Sequence, residues 1–118
     1  MKRLLVLMAA LGVAACGGSS TSTAPQTPAL AADVAATPSL AFTPGTVTVA
    51  QGGTVTFKFG SVAHNVFFDN ASGAPANITG TNANVNKTVT FTTTGTYEYD
   101  CHIHPGMSGK VIVVAATQ

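Results

Sequence analysis

Charge is scarce in this 118-residue chain: only 8% of residues are Asp, Glu, Lys or Arg, and the formal net charge is +1. A nucleic-acid binder needs a basic stripe to neutralise phosphates, and none is present. Tryptophan is absent, there are three histidines, and cysteine occurs twice, at Cys16 and Cys101. Two cysteines exclude a dense disulfide scaffold. Three histidines are too few for an enzyme with a second copper site of its own, so catalysis is not expected. No apolar run reaches the roughly 20 residues of a membrane-spanning helix; the longest begins at Leu4 and ends at Ala15. Length allows one domain at most.

That short run follows Lys2 and Arg3 and ends in Val13-Ala14-Ala15-Cys16. A positive start, an apolar stretch and small residues before a cysteine are the marks of a removable export signal. Residues 1–15 are therefore expected to be cleaved. The segment resembles the lipobox of bacterial lipoproteins, which implies a lipidated Cys16 at the mature N-terminus. Several acyl chains on one residue anchor durably, whereas one alone is marginal. Gly17 in place of Asp favours the outer membrane, with the domain exported and facing the periplasm. A plain signal peptide, an inner-membrane anchor and a Cys16–Cys101 disulfide are the alternatives. Without the signal, Lys58, Lys87 and Lys110 stand against Asp33, Asp69, Glu98 and Asp100, three against four, a net charge of −1. Long-range steering is then weak. If Cys16 carries lipid, Cys101 is a lone exported thiol, for which metal ligation gives a reason.

Residues 17 to about 37 are small, polar and Pro-containing, so 16–37 reads as a tether, with at most an edge strand from its last residues. From Pro38 the texture changes. Val47 and Val49, Val55, Phe57 and Phe59, Val89 and Phe91, and Val111 and Val113 recur at every second position among threonines and other residues. A period of two marks strands with one buried face. Turn signals at Pro44-Gly45, Gly52-Gly53, Gly60, Ser72-Gly73 and Gly95 separate them. The expected fold is all-β, an antiparallel Greek-key β-sandwich over residues 38–118, in a chain expected to be a monomer. The uncharged stretch Asn70 to Asn86 reads as a long surface loop with room for one short strand.

The chemistry lies in Gly95-Thr-Tyr-Glu-Tyr-Asp-Cys-His-Ile-His-Pro-Gly-Met107. A strand places Tyr97, Tyr99 and Cys101 on one face and Glu98, Asp100 and His102 on the other. Cys101, His104 and Met107 then share one short loop. Thiolate, imidazole and thioether form a soft donor set suited to copper. A trigonal plane needs one more donor, and His64, before the apolar run Val66-Phe67-Phe68, is the candidate. His₂Cys with a long axial Met is the electron-transfer geometry of blue copper. His102 is expected at the surface.

The pieces HNVFF at 64–68, GTYEYDC at 95–101 and HPGMSGKVIVV at 104–114 resemble the plastocyanin, pseudoazurin and amicyanin group of cupredoxins. The spacing C-x-x-H-x-x-M is most similar to amicyanin. The resemblance implies one copper ion held by His64, Cys101, His104 and Met107. It also implies that Asn65 hydrogen-bonds towards the cysteine loop. Gly106 departs from it, because a bulkier residue often precedes the Met. The function so implied is electron transfer, with a redox protein docking near His104. Copper storage or delivery through the same ligands is the alternative.

Overall fold

The computed structural model describes residues 27–116. The expected signal peptide and Cys16 lie outside these residues. Among the described residues there are nine strands and no helix. They are β1 (Ala31–Ala36), β2 (Phe42–Thr43), β3 (Thr46–Ala50), β4 (Thr54–Phe59), β5 (His64–Phe68), β6 (Ile78–Asn82), β7 (Val85–Thr90), β8 (Gly95–Asp100) and β9 (Ser108–Val114). One sheet has the order β2-β1-β4-β7 and the other β3-β9-β8-β5-β6. The two form an all-β sandwich.

The alternating residues face one another across it. Val47, Val49, Val55, Phe57, Phe59, Phe91, Val111 and Val113 are all buried, as are Tyr97 and Tyr99. Tyr99 is the hub: its ring meets Phe42 at 4.8 Å, Phe57 at 5.3 Å and Phe68 at 5.8 Å, each edge-on. Edge-to-face contacts of this kind add about 0.5–1.5 kcal/mol each beyond the area they bury.

Three expectations are corrected. The folded part begins before Pro38: β1 lies within the stretch read as tether, with Val34 and Ala36 buried in the core. It sits inside its sheet, parallel to β4 and antiparallel to β2. Its sequence, Ala-Ala-Asp-Val-Ala-Ala, has too few large side chains to show a period of two. The sandwich is also not wholly antiparallel, since β1 with β4 and β3 with β9 run parallel. Alternation records which face is buried and says nothing of a neighbour's direction. Finally, the stretch 70–86, expected as a loop with room for one short strand, holds such a strand as β6 and also the start of β7. These strands are mostly exposed and polar, so the hydrophobic signal is missing there.

The pairing of β5 with β8 positions the site. The two are antiparallel, with Phe67 opposite Asp100 and Phe68 opposite Tyr99. Continued past Asp100, this register runs the start of β5 alongside the loop that follows β8, which brings His64 next to Cys101.

Candidate metal centre

His64 opens β5 and is fully buried. Cys101 follows the last residue of β8 and is 1% exposed. The chain then turns through His104, Pro105 and Gly106, and the Met107 amide donates to the His104 carbonyl at 3.2 Å. Gly106 sits at φ 89°, in the left-handed region that glycine adopts without steric cost. The Cys101 amide donates to the Met107 carbonyl at 2.9 Å and closes the loop, with Met107 buried in it.

Three donor atoms converge. His64 Nδ1 lies 3.1 Å from His104 Nδ1, and Cys101 Sγ lies 4.0 Å and 3.8 Å from these two nitrogens. Among the described residues no other cluster of three or more His, Cys, Asp or Glu donors comes together in this way. A circle through atoms so spaced has a radius of about 2.1 Å, close to the roughly 2.0–2.3 Å at which imidazole nitrogen and thiolate sulfur bind zinc. One ion of that size fits between the three. The soft thiolate with two imidazoles, and a thioether in the same loop, suits copper.

Hydrogen bonds around the triangle hold it. His64 Nε2 lies 2.9 Å from the Thr37 carbonyl oxygen. A carbonyl only accepts, so Nε2 carries the hydrogen and Nδ1 presents its lone pair to the centre. Burial holds the His64 pKa below its ordinary value; the Thr37 carbonyl opposes this, and nearby His104 adds to the lowering. A neutral, deprotonated Nδ1 is the form a metal needs. Asn65 Oδ1 accepts the His102 amide at 2.7 Å, and its Nδ2 donates to the Gly80 carbonyl at 3.3 Å. This buried side chain thus ties β5 to the cysteine loop, as the resemblance implies, and also to β6. His102 itself points away. Its exposed ring stacks on Phe67 at 3.8 Å and lies 3.6 Å from Asp100.

The family model of copper binding proteins, plastocyanin/azurin family, matches residues 29–114. The chain belongs to that family. This cupredoxin is similar to a plastocyanin from Dryopteris crassirhizoma, with 25% identity and a TM-score of 0.60 over 70% of this chain and 99% of that one. A reduced Cu(I) amicyanin variant has 28% identity and a TM-score of 0.57, over 77% of this chain and 87% of its own. A copper-containing nitrite reductase from Thermus scotoductus SA-01 has 25% identity and a TM-score of 0.60 over 72% of this chain. The cupredoxin spans only 22% of that reductase's length. No curated protein sequence matches. In this cupredoxin, His64, Cys101, His104 and Met107 are positioned to hold one copper ion.

The sequence reading missed the Thr37 carbonyl. Any residue type carries a carbonyl, so no sequence signal marks it.

Proposed function

We propose that this cupredoxin is a one-electron carrier and not an enzyme. The observation that supports this most is the His64–Cys101–His104 triangle, already spaced for one ion and held by hydrogen bonds on several sides. Bound copper supplies a Cu(I)/Cu(II) couple. The residues supply a frame that need not move when the charge changes, and a rigid frame keeps reorganisation small. His64 and Cys101 are sealed from water, whereas His104 is half-exposed. Its ring is the route to the surface.

Two exposed apolar side chains lie on the segments that build the site. Ile103 lies in the ligand loop, and Leu40 lies in the turn whose Thr37 carbonyl meets His64; both are exposed. Exposed apolar side chains on these segments, with one half-exposed ligand, suit the small, transient contacts of redox proteins. The partner in this proposal is a redox protein docking over His104. The same proposal places the domain outside the cytoplasm, held by lipid on Cys16. The place of Cys101 in the donor triangle supports it, since a sulfur that holds copper is not spent on a disulfide. Cys16→Ser should then release the protein from membranes, and a wild-type protein found wholly in the soluble fraction would contradict the anchor.

The deciding experiment is visible and EPR spectroscopy of the copper-loaded protein, followed by voltammetry. A strong thiolate-to-copper band and a reversible one-electron wave are expected. Copper that binds without a reversible wave and moves to an acceptor protein as Cu(I) would replace this reading with copper delivery.

A further inference from the structure

The turn that follows β1 makes a hydrogen bond to the metal centre. The Thr37 carbonyl oxygen accepts from His64 Nε2 at 2.9 Å and from the Leu40 amide at 3.1 Å, so both of its lone pairs are used. In the opposite tautomer of His64, the proton would sit on Nδ1, where the ion belongs. The Nε2 lone pair would then face a carbonyl oxygen inside a buried site, leaving two acceptors opposed.

Every polar group of Thr37 helps to place that oxygen. Its amide donates to the Ala41 carbonyl at 2.9 Å. Its hydroxyl donates to the same carbonyl at 3.0 Å, accepts the Ala41 amide at 3.3 Å, and lies 2.9 Å from the Ser39 hydroxyl. Pro38 follows, and a residue before proline favours the extended region, which carries the geometry of β1 one residue past its end at Ala36. Leu40 closes the turn at φ 62°, a left-handed conformation rare for leucine. Such a conformation persists only where its surroundings hold it.

We infer that Thr37 is a positioning residue of the copper centre. Its carbonyl sets the tautomer and ring orientation of His64, and its hydroxyl holds the turn that carries the carbonyl. The segment leading out of the expected tether thus belongs to the site. This inference rests on the reading of His64 as a ligand.

Two readouts on the full chain test it. In metal-free wild-type protein, ¹⁵N NMR should show His64 as the Nε2–H tautomer; an Nδ1–H signal overturns the inference. Thr37→Val keeps the shape and removes the three hydroxyl contacts. Its Cu(II) affinity should fall about tenfold, the lower end of what outer partners of metal ligands contribute, and its His64 nitrogen shifts should move. Thr37→Ser should restore both readouts to wild type. Thr56→Val removes the hydroxyl pair that Thr56 makes with Thr88 between β4 and β7, and should change neither. Wild-type affinity and unchanged His64 shifts in Thr37→Val overturn the inference. Should that variant fail to fold, the wild-type tautomer and the Thr37→Ser readouts decide. A wild-type protein that shows the Nε2–H tautomer and binds no copper would sink the ligand reading instead.

Discussion

At the scale of single residues, the centre depends on donors with different duties. Cys101 and the two histidines lie close enough to share one ion. Met107 is buried in the same loop and would offer bound copper a thioether, the weakest donor of the set. Met107→Gln brings an oxygen that favours Cu(II), so the reduction potential should drop. Met107→Leu removes the donor, so the potential should rise. Copper should stay bound in both, and voltammetry of the three proteins checks it; a common potential would make Met107 core filling only. His64 also links the metal-free fold to pH. Its pKa in the folded protein is lowered, chiefly by burial, from an ordinary value of 6.5. Above that value both folded and unfolded forms are neutral and His64 contributes no pH dependence. As pH falls below 6.5, the unfolded chain takes up a proton that the folded chain refuses, so stability is lost down to the folded pKa. Urea unfolding of metal-free protein at about pH 7.5 and about pH 5.5, on either side of the ordinary histidine value, should show the decrease. His64→Gln should flatten it.

At the scale of elements, β8 and β9 are matched by a missing side chain. Tyr99 lies opposite Gly109 in the register. A Cβ at Gly109 would stand 2.5 Å from the Tyr99 hydroxyl oxygen and 2.7 Å from its Cζ. The ring cannot swing aside, because Phe42, Phe57 and Phe68 box it in. Gly109→Ala should therefore destabilise the protein by about 1–3 kcal/mol, as overpacking does. The Tyr99 hydroxyl has no hydrogen-bond partner among the described residues, and burial pushes its pKa up. Tyr99→Phe should be neutral or stabilising, because an unpartnered buried hydroxyl is unfavourable to keep. Combined with Gly109→Ala, it should recover part of the loss, since the nearest clashing atom is gone. Thermal melts of the two single variants and the double variant test this. An additive double variant would mean that the hydroxyl is not what the added methyl group strikes.

At the scale of the whole molecule, a domain of under a hundred residues has little stability to spare. A ligand that binds only the folded form adds to it by mass action. Free copper at a hundred times its Kd contributes about 2.7 kcal/mol. For a domain of this size each kcal/mol moves Tm by about 4–8 °C. Copper loading should therefore raise Tm by more than about 10 °C, and Cys101→Ser should lose most of that rise. Calorimetry with and without copper reads it directly. An unchanged Tm on loading would show that the ion binds folded and unfolded chains alike.

The sequence alone determined the fold class and the donor set. Strand faces follow from a period of two, and Val55-Thr-Phe57-Lys-Phe59 or Tyr97-Glu-Tyr99 displays that period whatever surrounds it. Cys101, His104 and Met107 share one short loop, so their joint role is a matter of local spacing. The Asn65 bond to the cysteine loop was legible only through resemblance. What tertiary structure decided is whatever depends on distant partners. β1 joins the core because β4 and β2 flank it, though four of its six residues are alanine. β6 and β7 are strands because β5 and β4 offer hydrogen bonds, not because they bury an apolar face. His64 reaches Cys101 because β5 and β8 run antiparallel, which no pattern within either strand encodes. The tautomer of His64 is set by the Thr37 carbonyl, a backbone atom common to every residue type, so only its place in the fold gives it a role.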